Sequence, residues 1–170
     1  MAVTGLILIS FICVHLLGNS SVFLGADGIN AYAKHLHDLG PLVWVFRLIM
    51  LLVFAVHIVF GIQLTLENRA ASAGDYAVKK RARATFASET MIISGLALFF
   101  FLLYHLAHFT LQVTNPEISA GHLPLDAAQR PDVLSMVVLS FSKSFISLIY
   151  VAAMVFLDST TVLLFRCSRR

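Results

Sequence analysis

Apolar residues fall into four long runs, at about residues 2–24, 42–66, 88–113 and 144–165, and the polar residues crowd into the connections between them. The runs show no period-two alternation, so each reads as a helix rather than a strand. At about 1.5 Å per residue, a run of about 20 residues crosses the roughly 30 Å of hydrocarbon in a bilayer. The pattern therefore predicts an all-α integral membrane protein: four transmembrane helices in an up-down bundle, forming a single domain over residues 1–170.

The connections refine this picture. "GADGINAYAKHLHDLGP" has turn residues at both ends and a central stretch, about 28–39, that predicts a short interfacial helix, and Pro41 suits the start of the second span. "ENRAASAGDYAVKKRARA" holds Arg69, Lys79, Lys80, Arg81 and Arg83, and this concentration of positive charge predicts a cytoplasmic loop. "NPEISAGHLPLDAAQRPD" is nearly balanced in charge and is predicted to lie outside. It leads into an interfacial segment at about 132–142, after which Lys143 snorkels at the boundary. The N-terminus is then inside. No internal repeat is visible.

Composition agrees: of 170 residues, 59% are hydrophobic and only 12% charged, too little charge to cover a soluble domain. The net charge of +3 comes from loop Lys and Arg, which in a membrane chain reports orientation and not nucleic-acid binding. Cys13 and Cys167 suggest neither a disulfide framework nor a zinc site. The opening "MAVTG" lacks the basic start of a secretory signal and reads as a mature helix with a short or missing lead.

Histidines supply the candidate chemistry. Of seven, His35, His37 and His122 fall in connections, while His15, His57 and His105 lie inside predicted spans, with His108 one turn beyond His105. One such imidazole is explained by a hydrogen bond between helices; three in four helices suggest more. His15 and His105 lie nine and eight residues from the outer ends of their runs, roughly 12 to 14 Å deep at 1.5 Å per residue. His57 is 15 residues from the outer start of its run, roughly 22 Å deep by the same rise, and belongs to a different site. Two neutral imidazoles on opposing helices suit the axial positions of one haem iron, whereas zinc wants further ligands nearby.

Other residues fit this scheme or a plainer one. Gly18 and Gly61 clear space beside His15 and His57 for a flat ring, or simply for helix packing. Arg47, the cation inside the second run, reaches a haem propionate or snorkels to the interface. Ser88 and Thr90 are candidate caps of the third helix.

"MAVTGLILISFICVHLLGN", "GADGINAYAKHL", "RLIMLLVFAVHIVFGIQLTLENRAA", "TMIISGLALFFFLLYHLAHFT" and "DVLSMVVLSFSKSFISLIYVAAMVFL" resemble, in order, the cytochrome b membrane-anchor subunit of succinate dehydrogenase or fumarate reductase, in its single-subunit, di-haem form. The resemblance runs to about Leu157, with HLLGN, NAYA and HIVFG as its most specific patches. It implies a five-helix anchor in the bacterial cytoplasmic membrane, carrying one or two b haems. Such an anchor passes electrons between quinone and the iron–sulfur and flavoprotein subunits, which perform the succinate or fumarate chemistry. By motif it implies that His15 and His105 ligate the distal haem iron and that His57 ligates the proximal one. A proton pathway or transporter built on the buried histidines is the alternative, as is an anchor that has lost haem.

The chain departs from the family pattern in three places. The family has a basic residue where Glu89 stands, its second proximal ligand falls at Thr160, and its last span has no counterpart. A one-base deletion near Asp158 would account for the last two departures: GAT TCC AC, with one G restored ahead of it, reads GGA TTC CAC, Gly-Phe-His, with the histidine at position 160. The alternative is a true end in which Arg166, Arg169 and Arg170 anchor the helix on the cytoplasmic side.

Overall fold

The computed structural model describes the backbone of residues 1–71 and 86–168 and the side chains of residues 1–67, 70 and 92–156. The basic residues of the second connection, the cap candidates Ser88 and Thr90, Glu89, and the side chains of Thr160 and Cys167 lie outside the described residues.

Every regular element among the described residues is helical. They are α1 (Ala2–Asn19), α2 (Ala26–Asp38), α3 (Pro41–Ala71), α4 (Phe86–His105), α5 (Val133–Ser142) and α6 (Ser144–Ser168). Single 3₁₀ turns occur at Ser20–Leu24 and Pro116–Ile118, and a π-helical turn at Leu106–Thr110. Three stretches are long and apolar enough to cross a membrane: Ala2–Leu24, Pro41–Glu67 and Ile92–Thr110. A fourth is available if α5 and the start of α6, which meet at 92°, count as one bent span. That angle also suits the predicted arrangement of an interfacial segment turning into a span.

Large apolar side chains stay exposed around these helices, among them Leu17, Leu52, Ile93 and Leu148, while the buried apolar side chains among the described residues are Ile29 on α2 and Met136, Ile146 and Tyr150 on α5 and α6. A helix that is apolar all round needs lipid or other helices as its solvent. The chain is thus an all-helical protein with several apolar helices compatible with a multi-pass membrane protein.

Two compact units divide the chain, Met1–Ala77 with Leu125–Leu134, and Val78–Pro124 with Ser135–Arg170. In the first, α1 and α3 run antiparallel: Thr4 meets His57, and Phe11 meets Phe46 at 5.8 Å between ring centroids. Gly25, at φ +77°, turns the chain from the 3₁₀ end of α1 into α2, using a conformation that favours glycine. Asn30 of α2 is fully buried and fastens the loop at 125–134. Its amide nitrogen donates to Asp126 (3.1 Å) and Asp132 (3.3 Å), and its oxygen accepts from the Leu134 N–H (2.9 Å). Arg130 adds bonds to Asp126 at 2.8 Å and Asp27 at 2.7 Å.

In the second unit α4 packs against α6. The third run ends earlier than its predicted boundary at residue 113, because the Leu111 N–H bonds back to the Leu106 carbonyl in a π turn and Gln112 then reverses the chain at φ +55°. Lys143 is ion-paired with Glu117 at 2.9 Å and donates to Asn115 at 2.8 Å. The predicted boundary lysine is therefore engaged by the loop. Its hydrogen bond, together with one from the Glu117 backbone N–H, holds the Glu117 carboxyl below its ordinary range against a smaller upward push from burial.

Candidate functional site

His57 projects from α3 toward the first turns of α1. Its Nδ1 lies 2.9 Å from Thr4 Oγ1, and the same hydroxyl lies 2.8 Å from the carbonyl oxygen of Met1. Gly5 provides clearance for the ring, since a Cβ there would stand 3.3 Å from His57 Cε1. Gly61, one turn along α3, would meet only the end of the Met1 side chain, at 3.5 Å.

His15 is half-buried near the other end of α1. Asn19, one turn on, donates to the His15 carbonyl at 2.8 Å and approaches Nε2 of the ring at 3.3 Å. An amide nitrogen only donates, so His15 Nε2 faces it as an acceptor and is the bare nitrogen of the ring. Thr4, which marks the level of His57, and His15 are eleven residues apart on α1, so the two imidazoles stand about 16 Å apart along the helix pair. Within this unit the two histidines therefore belong to separate levels. Gly18 serves packing: a Cβ there would collide with the hydroxyl and ring of Tyr32 from α2. Arg47 lies over the Trp44 ring, with Cζ 4.8 Å from its centroid, a cation–π contact one turn apart on α3.

His105 and His108 stand in the second unit and differ sharply. His108 is buried and both of its ring nitrogens are engaged, Nδ1 with Tyr150 Oη at 3.1 Å and Nε2 with Ser140 Oγ at 3.1 Å. His105 is half-buried, and its Nδ1 lies 3.4 Å from the same Tyr150 hydroxyl. Phe101, Phe109 and Phe141 pack around Tyr150, with ring centroids 5.0 to 5.9 Å from its own. Of the two adjacent histidines, His108 is spent on structure.

Among the described residues no group of three or more His, Cys, Asp or Glu side chains could hold a metal ion. The candidate ligands are single imidazoles on separate helices. An axial haem ligand needs a neutral imidazole whose far nitrogen is held and whose near nitrogen is bare. His57 has Nδ1 held by Thr4, and His15 has Nε2 facing Asn19. Thr4, Asn19, Ser140 and Tyr150 are the partners that sequence reasoning did not assign to the histidines. Asn19 carried a local signal, its position four residues after His15 on one helix face.

No family model, curated protein or solved structure matches the chain. What the fold establishes by itself is an all-helical chain with three apolar helices of membrane-spanning length, or four with the bent pair.

Proposed function

We propose that this chain is the membrane-anchor cytochrome b subunit of a succinate dehydrogenase or fumarate reductase, seated in a bacterial cytoplasmic membrane beside its iron–sulfur and flavoprotein partners. His15 and His105 hold one haem iron, and His57 is a ligand of a second. Arg47 is the candidate contact for a propionate. A bound b haem would supply one-electron chemistry between quinone and the iron–sulfur subunit. The chain's own share is to ligate, to bury and to orient. One observation carries the reading: α1 and α3 present two imidazoles, His15 with Nε2 facing Asn19 and His57 with Nδ1 facing Thr4, at levels about 16 Å apart. The ordered motifs of the family resemblance support it.

The test is reduced-minus-oxidised absorption and low-temperature EPR on the full chain, expressed with haem supplied and purified in detergent. A b-type spectrum is expected, with His15→Ala and His57→Ala each removing a different low-spin signal. A folded chain that takes up no haem would refute the proposal.

A second reading has its own observation. Ser140, His108, Tyr150 and His105 form a continuous chain of hydrogen-bonding groups in an apolar unit, as a proton relay requires. Proton flux into vesicles that is lost in Tyr150→Phe, with no haem bound, would favour it.

A further inference from the structure

The geometry points to Thr4 as the positioning residue that fixes the tautomer of His57. Thr4 Oγ1 has one proton and lies within hydrogen-bond distance of two groups, the Met1 carbonyl at 2.8 Å and His57 Nδ1 at 2.9 Å. A carbonyl accepts and never donates, so the bond to Met1 uses the Thr4 proton. The hydroxyl then faces His57 as an acceptor, and the ring proton must sit on Nδ1. In a neutral imidazole this leaves Nε2 bare.

The opposite arrangement has Thr4 donating to Nδ1. It gives up the bond to Met1, makes one hydrogen bond where the first makes two, and places a proton on Nε2. Among the described residues no acceptor is recorded for that proton. In an apolar helix pair an N–H donor without an acceptor is costly, so the first arrangement wins. Gly5 gives the ring room for it: a Cβ there would stand only 3.3 Å from Cε1. A side chain on α1 thus decides which nitrogen of a histidine on α3 is available to a ligand. This deepens the proposed role of His57 and rests on it only for the identity of that ligand.

The experiment is ¹⁵N NMR of the full chain, labelled at histidine and prepared without haem in an alkaline buffer where the rings are neutral. The His57 resonances are assigned by their loss in His57→Ala. The wild type should show His57 protonated at Nδ1, Thr4→Val should shift it toward the Nε2–H form or a mixture, and Thr4→Ser should restore the wild-type pattern. Helix content by circular dichroism should be equal in all three. A wild-type ring protonated at Nε2, or a Thr4→Val spectrum like the wild type, would overturn the assignment. A clean Nδ1–H tautomer in a chain that never binds haem would uphold Thr4 and reject the electron-transfer reading. In haem-loaded chain, Thr4→Val should move the midpoint potential of the His57 signal and leave that of His15 in place.

Discussion

Tyr150 of α6 places its hydroxyl 3.1 Å from Nδ1 of His108, across the boundary between α4's π turn and the last helix. With Ser140 on the other nitrogen, the imidazole is a strut joining three elements. Removing the hydroxyl in Tyr150→Phe leaves a buried ring nitrogen without its partner, a cost of about 1–3 kcal/mol. His108→Ala is expected to lower the thermal unfolding midpoint in detergent at least as far, and His105→Ala less. In a haem-loaded chain the order of spectral effects reverses, with the low-spin signal lost in His105→Ala and kept in His108→Ala. If His108→Ala removes the signal and leaves stability intact, the two roles have been assigned the wrong way round.

Such a division between two histidines three residues apart is invisible in a sequence. On a regular helix both share a face, and what separates them here is the π turn at Leu106–Thr110 together with partners 32 and 42 residues away. The helices themselves were plain, because long apolar runs punctuated by Gly25, Gly40 and Pro41 leave few alternatives. α2 was visible as a polar segment, but the burial of Asn30 was not, since its partners arrive from a loop about a hundred residues later. Gly18 carried two readings in the sequence, ring clearance and packing, and the structure gives its face to Tyr32. His57 was found by depth; Thr4, on another helix, carried no local sign of the connection.

Gly18 offers a direct check on that last packing relation. Gly18→Ala places a methyl group where the Tyr32 hydroxyl and ring lie, and should destabilise the first unit by about 1–3 kcal/mol, the usual cost of overpacking. Tyr32→Phe should relieve only part of this, since the ring carbons also crowd the site, and Tyr32→Ala should relieve most of it. Thermal unfolding of the single and double variants measures the coupling. Strictly additive losses would mean that the two residues do not meet.

The orientation predicted from charge has a direct check. With Cys13 and Cys167 changed to Ser, a cysteine replacing Gly121 should react with a membrane-impermeant maleimide added outside intact cells, and one replacing Gly74 should react only after the cells are opened. The reverse pattern would invert the chain in the membrane and with it the assignment of inner and outer levels for His57 and His15.

The clamp on the loop at 125–134 makes the last prediction, and its pH dependence has a definite sign. Burial by itself would raise the Asp126 carboxyl. The N–H of Arg130, the amide of Asn30, the Arg130 guanidinium and the N–H of Ala128 outweigh it and hold the group at about 2, below its ordinary 3.8. A carboxylate whose folded pKa is depressed contributes stability that is complete above the unfolded value and is lost as pH falls through the folded one. Hydrogen exchange at the Ala128 and Arg130 amides, which both donate to Asp126 at 2.9 Å, should therefore keep constant protection between pH 5 and 7 after correction for intrinsic rates. Protection should fall as the pH drops from about 4 toward about 2. Asn30→Ala removes a fully buried amide with three hydrogen bonds and should abolish the protection at every pH, at a cost of about 1–3 kcal/mol in the first unit. Protection that fades between pH 7 and 5, or that survives Asn30→Ala, would show that something other than this carboxylate and this amide holds the loop.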